Sequence, residues 1–472
     1  MTSIVWFRQD LRITANPAFN AAIEKGSPIV AVFILNQEQA WPLGAASRVW
    51  LHHSLGKLSE SLLNIGVDLV FRLGNPAAVL SELVDSVKAD AIYWNSEYEP
   101  DAIDEAERVA AKLNGRAACH PSNGRLLVEP MHMSNKAGKP FRVFTPFWRQ
   151  LRGSVPEMPI EARVTNSDNR WSQAATPVPV SSLKELGLLT NHAWEKKLAE
   201  QWQFGEAAAQ RMLDDFIDGA ITEYPDKRDI PEVDGTSRLS AYFHFGEISV
   251  QQAWQAISQR IYAGGFKQEA AAEAWLRQLA WREFSHHLLF HFPHTAQAPL
   301  NEKFSDLQWI ENEELLLLWQ TGRTGYPLVD AGMRQLWHTG WTHNRVRMVV
   351  ASFLTKHLGI HWLTGAKWFW DTLFDADLAN NSMGWQWVAG CGADAAPYYR
   401  IFNPTRQSER FDATGAYIKR WVPELRELDS RLVHAPNRYF DNPLFKLDYP
   451  QPCVEHRSAR ELALQRYQEI RT

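Results

Sequence analysis

Ser3-Ile4-Val5-Trp6-Phe7-Arg8-Gln9-Asp10-Leu11-Arg12, followed by Asn16-Pro17 and then by Ile29-Val30-Ala31-Val32-Phe33-Ile34-Leu35, decides the fold class. Two continuous apolar runs, separated by a polar turn and a helix start, are the pattern of parallel strands covered on both faces. Working outward, the alternation continues through residues 68–71, 91–94 and 116–119, with Asn75 before Pro76 as a second helix start and Gly26 as a stop. The expectation is an α/β domain over residues 1–130, a doubly wound parallel sheet of Rossmann-like type. The turn after the first run lacks GxGxxG, so a dinucleotide has to bind elsewhere.

Residues 131–200 are rich in Pro, Gly, Ser and Asn, most of all over 155–182, and read as an interdomain linker. Residues 201–472 read as a large all-helical domain, with amphipathic periodicity over 270–290 and 329–358. A chain of 472 residues supports such a division. Its 21 tryptophans are unusual, and 11 of them lie between Trp275 and Trp387. The three cysteines, Cys119, Cys391 and Cys453, are far apart, which excludes a disulfide framework and a four-cysteine cluster. A net charge of −5 argues against indiscriminate polyanion binding but leaves room for a local basic patch. No apolar run is long enough to span a bilayer, and the start has no basic leader, so a cytoplasmic location without membrane partners is expected.

Several constellations bear on chemistry. Gly235-Thr236-Ser237-Arg238-Leu239-Ser240 opens a helical stretch; its hydroxyls and free N–H groups suit a pyrophosphate, or else form an ordinary cap. Trp275, Gln278 and Arg282, spaced i, i+3 and i+7, put an indole, an amide and a guanidinium on one helix face. That face either receives a flat ligand or is a buried face with a satisfied arginine. Asn344, Arg347 and Met348 share another face, with Arg345 turned elsewhere. Asp375, Asp377 and Asn381 place two carboxylates and an amide nearby, one suited to a fixed ion pair with Arg347; glycosidic or metal chemistry is the less favoured reading. Trp385 and Trp387, two apart, point in different directions on a helix. The pairs His287/His291 and His357/His361 have metal-compatible spacing, but without HExxH or an acidic partner a structural role is preferred and no metal is expected. GxSxG and Walker signatures are missing.

Taken in order, Trp6-Phe7-Arg8-Gln9-Asp10-Leu11-Arg12, Gly235 to Ser240, Trp281-Arg282-Glu283-Phe284, Thr324-Gly325-Tyr326-Pro327, Trp341-Thr342-His343-Asn344-Arg345, Asp375-Ala376-Asp377-Leu378 and Ile401-Phe402-Asn403-Pro404 closely resemble the DNA photolyase/cryptochrome family over essentially the whole chain. The resemblance implies a helical domain that holds FAD, with contacts from Tyr224, Thr236, Ser237, Arg238, Leu239, Ser240, Trp275, Gln278, Arg282, Asn344, Arg347, Asp375, Asp377 and Asn381. It implies UV-damaged DNA as partner, the lesion being flipped out of the duplex. Contacts to the lesion and its flanking phosphates are then expected from Arg228, Gln278, Trp281, Asn344, Arg345, Met348, Trp387 and Arg400. Trp385, Trp362 and Trp309 match the family's chain for photoreducing flavin. Such an enzyme splits a cyclobutane pyrimidine dimer with an electron from photoexcited reduced flavin, which then returns.

Two positions bear on the choice within the family. A carboxylate at position 381, where plant cryptochromes typically have aspartate, would repel an anionic reduced flavin; the amide of Asn381 does not, which favours repair over signalling. Members acting on (6-4) lesions usually have histidines where this chain has Asn344 and Met348, which favours the cyclobutane dimer. Gln278 cuts the other way, because many cyclobutane enzymes have glutamate there. A (6-4) photolyase and a cryptochrome photoreceptor remain the alternatives. Glu99 resembles a contact to an antenna chromophore, expected as 5,10-methenyltetrahydrofolate with 8-hydroxy-deazaflavin as the alternative. A bacterial monomer, at the nucleoid during repair, completes the expectation.

Overall fold

The computed structural model describes residues 2–156, 182–264, 266–395, 399–439 and 447–471. Five parallel strands, β1 (Thr2–Phe7), β2 (Ile29–Leu35), β3 (Leu69–Leu73), β4 (Ala89–Asn95) and β5 (Ala118–Ser122), form one sheet in the order β3-β2-β1-β4-β5. Ile4 lies opposite Val30 on one side and Ile92 on the other, and β1 is almost wholly buried, as its unbroken apolar run requires. The connections are helical: α1 (Pro17–Glu24), α2 (Ala45–Leu63), α3 (Pro76–Val87) and α4 (Pro100–Leu113). Asn16 and Asn75 cap α1 and α3, their side chains accepting from the N–H groups of Phe19 and Ala77, with proline at each first helical position. The fifth strand begins two residues later than the apolar run predicts. Gly115, at φ 75°, and Arg116 turn the chain out of α4, and β5 is a largely exposed edge strand without an apolar signature.

The exit of β1 shows what stands in place of a glycine-rich turn. The buried Asp10 carboxylate accepts from the Arg8 N–H at 2.7 Å and from Asn95 Nδ2 at 2.6 Å; burial pushes its pKa up. Arg12 donates to the carbonyls of Ala15, Gly124 and Gly246 at 2.8–2.9 Å, tying three loops to the strand end. Gly246, at φ 68°, packs against the Gln9 carbonyl so closely that a Cβ would collide with it.

The chain divides into two compact units that interleave in sequence: Met1–Phe141, Thr145–Gly219 and Ser237–Pro293 form the first, and Arg142–Phe144, Ala220–Thr236 and His294–Thr472 the second. The first contains the sheet and the 26-residue α5 (Phe266–His291), longer at both ends than the predicted 270–290. Within the expected linker, helices cover Phe144–Ser154 and Ala193–Ala199, while residues 157–181 lie outside the described residues. Among its described residues the second unit has helices and connecting loops but no strand. The helix expected over 329–358 is broken into α6 (Pro327–Thr339), α7 (Asn344–Ser352) and a π turn, Phe353–His357. Gly340, at φ 65°, ends α6, and the His343 ring accepts from the Arg345 N–H to start α7. Two further helices, α8 (Trp362–Thr372) and α9 (Leu378–Ala389), pack on each other, α9 also on α7, and Trp319, Trp362, Phe369 and Trp385 share one core. Among the described residues no helix is long and apolar enough to cross a membrane.

In the first unit Glu247 is fully buried, accepting from Trp50 Nε1 at 2.9 Å and the Gly205 N–H at 2.6 Å. Burial raises its pKa to about 7, against an ordinary 4.5. The folded state therefore binds a proton that the unfolded state releases, and the stability this gives is complete below the unfolded pKa and lost as pH rises through the folded one. Replacing Glu247 by Gln should flatten the fall in urea midpoint between about pH 5 and about pH 8. An unchanged pH slope would count against a titrating Glu247.

Candidate functional site

In the first unit, α5 presents the predicted face. Trp275 is buried against Phe216, and its indole N–H donates to Ser237 Oγ at 3.3 Å, joining the helix to the serine-rich turn. Gln278 sits one turn on, half-buried, with its amide nitrogen on the Ala274 carbonyl. Arg282, the third member, donates to Glu283 Oε1 at 3.1 Å and to the Arg125 carbonyl at 3.4 Å. Glu283 is itself buried and has its pKa raised to about 7 by burial, opposed by Arg282. Trp281 is half-buried with its ring edge on Phe284. The helix after the serine-rich turn starts at Ser240, so Gly235 to Leu239 precede it as irregular and turn backbone, with Arg238 in the left-handed region at φ 51°. Glu99 precedes the first residue of α4 and is half-buried.

The second unit holds the other members. Arg347 and Asp375 form a two-pronged ion pair, Nη1 to Oδ1 at 3.0 Å and Nη2 to Oδ2 at 2.9 Å, while Arg347 Nε donates to the Thr342 carbonyl at 2.8 Å. The pair anticipated from the sequence is thus present. Asp377 caps α9 by accepting from the Asn380 N–H, and one turn later Asn381 Nδ2 donates to the Ala366 carbonyl at 2.9 Å. Asn344 is exposed beside the half-buried Met348, and Arg345 leaves that face to pair with Asp229 at 2.9 Å. Tyr224 is buried, its pKa pushed up to about 12 by burial, with the Arg228 guanidinium 5.5 Å from its ring centre. Gly235 packs onto the Lys227 backbone where a Cβ would crowd the carbonyl. Arg400 is exposed.

Of the three tryptophans expected to relay electrons, all in this unit, Trp385 and Trp362 are buried and Trp309 is half-buried. Trp385 is 2% exposed and lies over Gly365 of α8, edge-on to Phe369 at 4.9 Å; its indole N–H has no hydrogen-bond partner among the described residues. Trp362, 1% exposed, heads α8 beside His361 at 5.6 Å, and His361 contacts the half-buried Trp309 at 4.9 Å. Trp387 is less buried than Trp385, as two-residue spacing requires.

The histidine pairs serve the backbone and each other. His287 accepts from the Phe141 N–H, and His291 is bonded to the Pro130 carbonyl. His357 bonds His456 at 2.8 Å, whereas His361 caps α8, so 357 and 361 do not share a helix face. Among the described residues no three His, Cys, Asp or Glu side chains gather as metal ligands. Sequence reasoning passed over Asp229, whose only signal is the acidic run Glu223, Asp226, Asp229, Glu232 and Asp234.

Residues 3–163 match the model of the DNA photolyase family, and residues 275–469 match the FAD binding domain of DNA photolyase. A deoxyribodipyrimidine photo-lyase of Agrobacterium fabrum is 42% identical over 99% of this chain and 98% of its own. Cryptochrome-2 of Arabidopsis thaliana is 37% identical over 98% of this chain and 78% of its own. The crystal structure of a bacterial class III photolyase from Agrobacterium tumefaciens superposes with a TM-score of 0.94 at 42% identity, covering 100% of this chain and 98% of that one. The chain belongs to the DNA photolyase family. It is an FAD-binding lyase of the class that repairs DNA with light.

If Trp385, Trp362 and Trp309 relay electrons, Trp385→Phe removes the innermost indole. Photoreduction of oxidised flavin by blue light should then lose most of its rate, followed by absorbance, while repair by chemically reduced protein stays near wild type. Photoreduction at the wild-type rate would refute the relay.

Proposed function

We propose that this enzyme repairs cyclobutane pyrimidine dimers. Asn381 carries repair over signalling: it is a neutral amide whose nitrogen is used on the Ala366 carbonyl, bringing no negative charge toward a reduced flavin, while Asn344 and Met348, where (6-4) enzymes usually have histidines, favour the cyclobutane dimer. The residues present fit the cofactor: a serine-rich turn with crowded Gly235, an indole bonded to Ser237, and a fixed Arg347–Asp375 pair. FAD would be held by Tyr224, Thr236 to Ser240, Trp275, Gln278, Arg282, Asn344, Arg347, Asp375, Asp377 and Asn381. Bound there, reduced FAD would supply, on excitation by light, the electron for opening the dimer, which would return to it afterwards.

The chain's own side chains do the remaining work. Trp281 and Trp387 flank the extruded bases, stacking being worth about 1–3 kcal/mol per base. Gln278 hydrogen-bonds them, able both to donate and to accept. Asn344 and Met348 complete the lesion surface, and Arg228, Arg345 and Arg400 hold phosphates around it. Residues 1–130 would carry the antenna chromophore, with Glu99 as a contact to 5,10-methenyltetrahydrofolate, 131–200 would link, and 201–472 would bind FAD. The protein would act as a cytoplasmic monomer. Gln278 favours one second reading, a (6-4) photolyase.

Fully reduced enzyme, given one defined cyclobutane dimer or one (6-4) lesion in parallel, should restore only the first under blue light. Repair of the (6-4) lesion alone would reverse the assignment, and repair of neither would sink it. The absorption spectrum of the same preparation should show a reduced-folate band beside the flavin; a deazaflavin or second flavin band would contradict the folate.

A further inference from the structure

Arg345 is the second residue of α7 and belongs to the second unit, as do all the groups that meet it. Its guanidinium pairs with Asp229 Oδ2 at 2.9 Å and lies over the Phe411 ring, 4.4 Å from the ring centre. Among the described residues these are its partners, and its Nε makes no hydrogen bond. Arginine has five donors, so one carboxylate oxygen leaves the fork poorly used. A cation near a helix N-terminus is also unfavourable, and a neighbouring carboxylate relieves that. The pair is open to exchange, with side-chain exposures of 19% for Arg345 and 35% for Asp229. Partly exposed ion pairs of this kind contribute little to stability. Asp229 also stands among acidic neighbours, with Asp226 and Glu232 exposed on the same segment and Glu232 accepting from Thr414 Oγ1 at 2.6 Å.

We propose that Asp229 is an internal stand-in for a DNA phosphate on Arg345, so that DNA entry exchanges one anion for another and affinity for undamaged duplex is held down. The inference rests on the reading of Arg345 as a phosphate contact. A free arginine meeting a phosphate releases a condensed counterion, whereas an arginine already neutralised by a carboxylate gives up that carboxylate, which then recruits a cation of its own. The net counterion release from this contact is therefore small in the native protein. Phe411 keeps the guanidinium plane in place through the exchange, because stacking does not depend on which anion lies at the edge. The device lets the enzyme leave the excess of undamaged DNA without weakening the stacking contacts that hold a lesion.

The test is equilibrium binding of an undamaged duplex oligonucleotide over a range of salt, with wild type, Asp229→Asn, Asp229→Glu and Arg345→Gln. Asp229→Asn should bind up to about tenfold tighter near 0.1 M salt, with a log–log salt slope steeper by about one. Asp229→Glu should behave as wild type, and Arg345→Gln should bind more weakly. Unchanged affinity and slope in Asp229→Asn, or weaker binding there, would overturn the proposal by making Asp229 either inert or a mere support for Arg345. Arg345→Gln binding as tightly as wild type would overturn it too. These readouts need no light, so loss of repair in wild type would refute the proposed function while the binding data still decide the role of Asp229.

Discussion

Arg347 and Asp375 meet through two parallel hydrogen bonds of 2.9–3.0 Å, and the proposed flavin face of the second unit is arranged around that pair. Arg347 fixes the start of α7 to the Thr342 carbonyl and to the turn that begins α9. Asp375 is almost fully buried, with 4% side-chain exposure, so leaving it without its arginine would strand a carboxylate away from water. Through the pair, the face carrying Asn344, Arg347 and Met348 acquires a fixed position relative to Asn381, Trp385 and Trp387. A bidentate arginine fork serves this better than lysine because its geometry admits one orientation.

Around that clamp, the tryptophan content separates into distinct tasks. Trp319 binds the Val350 carbonyl through its indole N–H and serves as core. Trp385 packs over Gly365 and edge-on to Phe369, and its N–H has no hydrogen-bond partner among the described residues. The exposure gradient from Trp385 and Trp362 to half-buried Trp309 is what a route from core to solvent requires. His361, which the sequence offers as half of a metal-like pair, stands between Trp309 and Trp362 and caps the helix that carries the latter.

Much of this was legible in the sequence where one segment determines its own environment. The inner strands are unbroken apolar runs because both faces are covered, and Asn16-Pro17 and Asn75-Pro76 announce their helices by local chemistry. Strand β5 was misplaced because an exposed edge carries no such run. The break at Gly340 was missed because apolar periodicity continues across it, while the left-handed turn depends on one glycine and on Phe374 packed against it. Arg347 beside Asp375 was foreseeable from the chemistry of the two groups. Arg345 beside Asp229 was not, since their approach depends on how the segment 220–236 folds back onto the helices of the second unit.

The central claim is that the Arg347–Asp375 clamp shapes the flavin site. Flavin content of purified Asp375→Asn protein, measured by absorbance beside far-ultraviolet circular dichroism, tests it most directly. The account predicts a helical signal like that of the native protein with most of the flavin lost; a folded variant that keeps its full complement of flavin would contradict it.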